Sequence, residues 1–313
     1  MSMVAGTEAA LSLRVLLAHS IDYAGLFPPT TLTLETALKN HATYLRSSDA
    51  WMLSTFVLPI GKFADAAWFI SEFDQNCPLR ISALGAKTTN TIDFLEELKT
   101  AVRGIREFSG ECKNFVLIDQ LEIPLPPGVE RETLAKMREV IGDLRVRTFW
   151  EALTEDAERT ISLLAEHNSR TNGQPFSFKL RTGGVTPDAF PSSMQIAKAL
   201  VAGARQGVAM KFTAGLHHPI RMFRDEVNAK MHGFLNVLGA GLLAIEHGWD
   251  ERQTCIMLED ENANSFHFDE TVFGWRDWKI SSAKIEKHRR FITSFGSCSF
   301  DEPRQDLRAL KLL

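Results

Sequence analysis

The chain has 313 residues, 44% of them apolar and 24% charged, with a formal net charge of -4. That balance suits a soluble globular protein with enough apolar material for one large α/β domain. The basic residues are dispersed and the net charge is negative, so there is no electrostatic reason to expect a nucleic-acid partner. Cys77, Cys112, Cys255 and Cys298 show no C-x-x-C or zinc-type spacing and read as ordinary reduced thiols of a cytoplasmic protein. No basic stretch leads into a long apolar run and a small-residue cleavage site, so no secretory signal is expected. The longest apolar run, Phe234 to Ile245, contains Asn and Gly and is too short to span a bilayer; it predicts a buried helix and no membrane partner.

In chain order, residues 8–18 have helical composition. Ile21 onward reads as a short first strand that Pro28 and Pro29 end. Thr31 or Thr33 can cap a helix running to about Arg46. Trp51–Leu58 is β-branched and aromatic and predicts the second strand, stopped by Pro59. A helix is expected over 62–74, a third strand over Leu79–Leu84 and an amphipathic helix over 91–108. Asn114–Ile123 predicts the fourth strand, 130–141 a helix, Val146–Ala152 the fifth strand and 155–167 a helix.

The stretch from Phe176 to Pro219 supplies strands six and seven around a helix. The apolar helix follows at 231–248. Ser265–Phe273 (SFHFDETVF) is the expected eighth strand, with 250–264 as an insertion or short extra helix. A last helix over Ser281–Thr293 and an irregular tail, SFGSCSFDEP, finish the chain.

Eight strand-like runs alternating with helices predict a single-domain (β/α)8 barrel, its core spanning about 19–293 and its tail 294–313. No G-x-G-x-x-G follows a strand, which counts against a dinucleotide-binding fold. In such a barrel, chemistry gathers at the C-terminal strand ends. The polar residues there are Asp22, Asp119, Glu122, Glu151, Lys179, Arg181, Lys211, His217 and His218. Charged residues are unusual in strands buried on both faces, which makes this the strongest functional signal.

Strand alternation puts Lys179 and Arg181 on one inward face, and Lys211 with Thr213 on the next. Neighbouring parallel strands lie ~4.8 Å apart, so the two ammonium groups share one mouth. Repulsion and desolvation would then lower one lysine's pKa, and a neutral amine can attack a carbonyl to form a Schiff base. The plainer alternative is that these cations hold an anionic substrate or pair with acidic neighbours.

Asp119 and Glu151 are the expected acidic partners. A one-residue slip decides whether Asp119 or its neighbours Gln120 and Glu122 face inward. Asp22 is expected at the mouth, although its position before Gly and Pro also suits a turn. Adjacent His217 and His218 on an extended segment would point opposite ways, so joint metal binding is awkward. One of them could join Asp22, Asp119 or Glu151 around a divalent ion; substrate orientation or proton transfer is the commoner use. His232 and Asn236 share a helix face and read as packing polarity, as do Trp275, Arg276 and Trp278 at a pocket wall. Cys298 has no base partner that the sequence identifies.

KLRTG from Lys179 and KFTAGL from Lys211 resemble the strand-six and strand-seven lysine motifs of deoxyribose-phosphate aldolases, and Leu117-Ile118-Asp119 resembles that family's acidic strand. The resemblance covers about 50 residues. It implies Lys179 as Schiff-base nucleophile, Lys211 as its electrostatic partner and Asp119 as acid/base. AGLHHPIR departs from that family's glycine-rich phosphate loop, so a phosphate handle is not carried over. DYAGLFPP, RTGG, TAGLHHP, MHGFLNV and FGSCSFDEP together resemble an uncharacterised bacterial family of barrels.

The reading is an enzyme acting on a small carbonyl or carboxylate compound, an aldolase-like lyase. Lys179, Lys211, Asp119 and Glu151 would be catalytic; Arg181, His217, His218 and Asp22 would bind substrate. No cofactor is expected. A metal-assisted hydrolase or isomerase is the first alternative, and a non-catalytic binder of an anionic metabolite the second. Homo-oligomerisation is left open.

Overall fold

The computed structural model describes residues 9–313, so residues 1–8, which include the first residue of the expected N-terminal helix, lie outside the description. Eight parallel strands close a barrel. They are β1 (Ile21–Tyr23), β2 (Leu53–Pro59), β3 (Leu79–Leu84), β4 (Val116–Pro124), β5 (Arg147–Glu151), β6 (Phe176–Arg181), β7 (Met210–Thr213) and β8 (Ile292–Ser297). β8 pairs with both β1 and β7, so the sheet has no free edge.

The α-helices among the described residues are α1 (Leu11–Leu17), α2 (Leu34–Leu45), α3 (Phe63–Ala66), α4 (Thr91–Glu111), α5 (Arg131–Ile141) and α6 (Ala157–Arg170). They continue with α7 (Ser193–Gln206), α8 (Phe234–His247), α9 (Glu251–Leu258), α10 (Ser282–His288) and α11 (Asp301–Ala309). The (β/α)8 barrel expected from the alternation is the fold. No helix among the described residues is long and apolar enough to cross a membrane.

Local chemistry explains where these elements begin. Thr33 caps α2, its Oγ1 accepting from Thr36 N at 3.3 Å, and Asn90 does the same for α4 through Asp93 N at 2.9 Å. Ser192 and Gln195 form a reciprocal capping box on α7. Each device satisfies N–H groups that the first helical turn leaves free. Within β6, Phe176 packs outward on Trp150 at 5.3 Å and on His167 at 4.7 Å between ring centroids. Ser177, Lys179 and Arg181 alternate with the aromatic and leucine positions and so face the lumen.

One strand lies elsewhere than the sequence pattern suggests. The run expected as strand eight forms two strands of a separate antiparallel sheet, with segments 266–268, 272–275 and 278–281. Asp269 breaks the run: its Oδ1 accepts from Thr271 N at 2.7 Å and Val272 N at 2.8 Å, making a tight side-chain turn. Ser12 N donates to Asp269 O at 3.2 Å, which ties this sheet to α1.

The true eighth strand straddles the end of the expected last helix and the start of the expected tail. Its residues are small and polar where they face the lumen beside β1, with Asp22 opposite Gly296. All six are buried. The helix expected to be last, α10, stops at His288, and the remainder of the expected tail is the β8 end, a short loop and α11. The segment expected as an insertion holds α9, which packs with α7 and α8.

Candidate active site

Lys211 reaches across the lumen from β7. Its Nζ stands 3.0 Å from Asp22 Oδ2 on β1, 2.6 Å from Gln120 Oε1 on β4 and 3.3 Å from Ser82 Oγ on β3, and it also contacts Glu122 Oε1. Side chains from four strands can converge this way only inside the barrel. The Phe149 ring lies beside the ammonium, its centroid 5.6 Å from Nζ. Asp22 is fixed in turn by Thr55, whose N and Oγ1 donate to Oδ1 at 3.1 and 2.5 Å.

Lys179 stands opposite Lys211 in the β6–β7 register, as the strand alternation predicts. Its Nζ lies 2.8 Å from Glu122 Oε2 and 2.9 Å from Glu151 Oε2. Glu122 thus bridges the two lysines, one oxygen to each. Glu151 Oε1 also accepts from Arg181 Nε at 3.2 Å. Lys179, Lys211, Glu122 and Asp22 are 5%, 1%, 1% and 0% exposed, so the network is dry. Three carboxylates face three cations, which is what lets so much charge stay buried.

This pairing reverses one expectation. Burial pulls the Lys179 pKa down, but the attraction of Glu122 and Glu151 outweighs it and holds the ammonium above the usual lysine range. Burial likewise pushes Glu122 up, and the two lysines outweigh it and hold its carboxyl far below the usual range. Glu151 is held low in the same manner by Lys179 and Arg181. The resting Lys179 is a paired ammonium, not a repelled amine, because acidic side chains separate the cations.

Asp119 does not join this cluster. A bulge pairs Ile81 with Ile118 and Ser82 with Gln120, leaving Asp119 as the extra residue of β4. It turns to Arg80 near the start of β3, with Arg80 Nε 2.8 Å from Oδ2. Glu122 stands three residues, roughly 10 Å of strand, nearer the mouth. The acidic position on β4 that faces the lysines is therefore Glu122 with Gln120 beside it, and Asp119, expected there, lies outside the cluster.

The two histidines do not diverge, because the chain bends after β7 instead of continuing as a strand. Both turn to α11. His217 Nδ1 lies 3.1 Å from Glu302 Oε2, while His218 Nδ1 lies 2.6 Å from Asp306 Oδ2 and its Nε2 3.8 Å from Glu302 Oε1. His218 ties the β7 loop to the last helix. His217 faces the mouth, where its Nδ1 also lies 3.8 Å from Cys298 Sγ. Cys298, which had no base partner in the sequence reading, has one in the fold.

A cavity of about 270 Å3 opens at the C-terminal ends of the strands, and Glu122, Lys179, Arg181, Lys211, His217 and Cys298 all line it. Phe27, Pro28 and Pro29 of the β1 loop form its apolar side. The loops after β6 and β7 touch. Thr182 Oγ1 donates to Ala214 O at 2.6 Å, and a Cβ on Gly215, whose φ is +75°, would stand 3.0 Å from Gly183 Cα. Only glycine fits that crossing without strain.

Several other expected candidates serve the scaffold. Asn236 accepts from Arg221 N and donates to Met257 O and Asp260 O at 2.8–2.9 Å. His232 Nε2 lies 2.9 Å from Pro191 O. Trp275 Nε1 donates to Asp260 at 3.0 Å and its ring packs on Trp249, with Arg276 on the same carboxylate. None of them lines the cavity.

Among the described residues, no group of three or more His, Cys, Asp and Glu side chains is arranged to hold a metal ion. The oxygens of Asp22 and Glu151 that such an ion would use already face lysines. Comparison with known protein families and with curated proteins finds no match to this chain.

Proposed function

We propose that the chain is a lyase of aldolase type that binds a small carbonyl compound as a Schiff base on Lys179. The observation that carries this reading is a pair of buried lysines bridged by one carboxylate on the wall of the cavity. Lys179 has two acceptors at hydrogen-bond distance. Moving its proton to Glu151 turns a buried ion pair into a buried neutral pair, so no uncompensated charge is created in the dry site.

The free amine can then add to a carbonyl carbon while the carbonyl oxygen takes a proton from the new carboxylic acid. Loss of water gives an iminium whose positive charge replaces that of the ammonium between Glu122 and Glu151. The iminium draws electrons from the adjacent C–C bond. A carboxylate that removes the proton of the β-hydroxyl breaks that bond, releasing an aldehyde and leaving an enamine. Lys211, held by Asp22, Gln120 and Glu122, fixes Glu122 and is the electrostatic partner. Arg181, half-exposed at the rim, is placed to meet an anionic group of the substrate.

Enamine formation makes a simple test. With ketones and aldehydes in D2O, the enzyme should exchange α-hydrogens for deuterium, and β-hydroxycarbonyl compounds should be cleaved. Absence of both across a broad panel, from folded protein, would count against the reading. The rival reading, a binder of an anionic metabolite, is favoured by one observation: Arg181 keeps half its side-chain surface exposed beside the cavity. Thermal stabilisation by small carboxylates without exchange or cleavage would support that reading instead.

A further inference from the structure

We propose that Cys298 and His217 form a second covalent site in the same cavity, in which the thiol adds to the carbonyl carbon of a small neutral aldehyde. The residues come from two loops, after β8 and after β7, and neither belongs to the lysine network. Cys298 Sγ accepts a hydrogen bond from Thr30 Oγ1 at 3.0 Å and stands 3.8 Å from His217 Nδ1. Glu302 Oε2 lies 3.1 Å from the same Nδ1. Thr30 Oγ1 and His217 Nδ1 thus flank the sulfur, and the Glu302 carboxylate shares that same imidazole nitrogen. This environment favours the thiolate and the imidazolium together.

Two observations separate this cysteine from an ordinary buried thiol. It lines the cavity, as His217 does. His217 is about nine-tenths buried, and its Nε2 has no protein partner among the described residues, both contacts being made by Nδ1. A buried, cavity-lining imidazole with one free nitrogen can serve a bound ligand. The charge balance agrees with the geometry. Burial lowers the His217 pKa, but the bonds to Cys298 and Glu302 outweigh it and raise it to about 9. Burial raises that of Cys298, but His217 and Thr30 outweigh it and lower it. Cys112 and Cys255, by contrast, are pushed up by burial and by neighbouring carboxylates.

In the proposed step, the thiolate electron pair forms a C–S bond to the carbonyl carbon. The C=O π pair moves to oxygen, which takes the Nε2 proton of His217. The products are a hemithioacetal and a neutral imidazole, and the reverse step restores both. The choice of an aldehyde rests on the carbonyl chemistry proposed for the lysines; the reactivity of the thiol does not.

The test is the rate of alkylation of each cysteine by iodoacetamide at pH 7, read by peptide mass spectrometry. Although more buried than Cys77, Cys298 should react about tenfold faster, because the donors His217 and Thr30 enlarge its thiolate fraction. His217→Asn should abolish that advantage. Glu302→Gln, which leaves the imidazole in place, should reduce it and covers the case in which the first variant fails to fold. Glycolaldehyde should protect Cys298 but not Cys77, and dilution should reverse the protection. Lys179→Arg should leave the alkylation rate unchanged, so failure of the lysine chemistry and failure of this site are distinguishable. Alkylation no faster than that of Cys77, or no change on removing His217, would overturn the thiolate. A lack of protection by the aldehyde would overturn its assignment as ligand.

Discussion

Replacing Glu122 with Gln tests the bridge on which the lysine site depends. The substitution keeps the shape and leaves two carboxylates, Asp22 and Glu151, against three cations, Lys179, Lys211 and Arg181. Each of the two buried lysines loses a charged partner. Breaking a buried pair from one side costs about 3–5 kcal/mol, because the remaining charge stays desolvated. At ~2.1 cal/mol/K per residue, the unfolding entropy of a chain this long is roughly 0.66 kcal/mol/K, so the loss corresponds to about 5–8 °C in Tm.

Urea unfolding at pH 7 measures the loss. Lys179→Met in the same chain should restore part of it, since Glu151 then pairs with Arg181 and Asp22 with Lys211, and no surplus buried cation remains. The acid limb provides a second check. Glu122 and Glu151 are held below their unfolded pKa values, so their contribution is complete above about pH 4.5 and is lost as pH falls through the folded values. Lys179 is held above its unfolded value, so its contribution is complete below about pH 10.5 and is lost only in more alkaline solution. The wild-type contribution of these pairs should therefore be flat between those limits. Glu122→Gln should flatten the acid limb as well as lower the plateau. A loss below about 1 kcal/mol, or an unchanged acid limb, would refute the claim that Glu122 is a buried, ionised bridge.

Other outcomes follow from exposure and position. Asp119→Asn should leave deuterium exchange unchanged and cost no more than about 1 kcal/mol, because its pair with half-exposed Arg80 is solvent-screened. Arg181→Ala should alter stability little yet weaken binding of carboxylate-bearing ligands about tenfold, roughly 1.4 kcal/mol, as judged by thermal-shift titration. The His217 ring should stay protonated at pH 7 and titrate near its raised value of about 9 in an NMR titration of its ring protons. Glu302→Gln should move that midpoint downward.

The alternation of strand and helix patterns made the barrel legible, and the Lys179–Lys211 juxtaposition followed from two strands separated by a single helix. Strand eight was hidden because lumen-facing positions near its end are small and polar, which resembles a loop, while a hairpin nearby supplied a better strand pattern. On β4, the choice between Asp119 and Glu122 turned on a bulge that reverses the parity of the strand, and no local composition announces it. The partners Thr55, Ser82 and Gln120 are ordinary strand residues until the barrel closes. Cys298 and His217 lie 81 positions apart and meet only because β8 returns beside β7. The two histidines share one helix because the chain bends where a straight strand would have parted them.

Borohydride reduction during incubation with small aldehydes and ketones, followed by peptide mapping, tests the central claim most directly. The account predicts a carbonyl-dependent mass increase on the peptide containing Lys179, lost in Lys179→Arg. Folded protein that gains no mass at any lysine, or gains it at Lys211 instead, would contradict it.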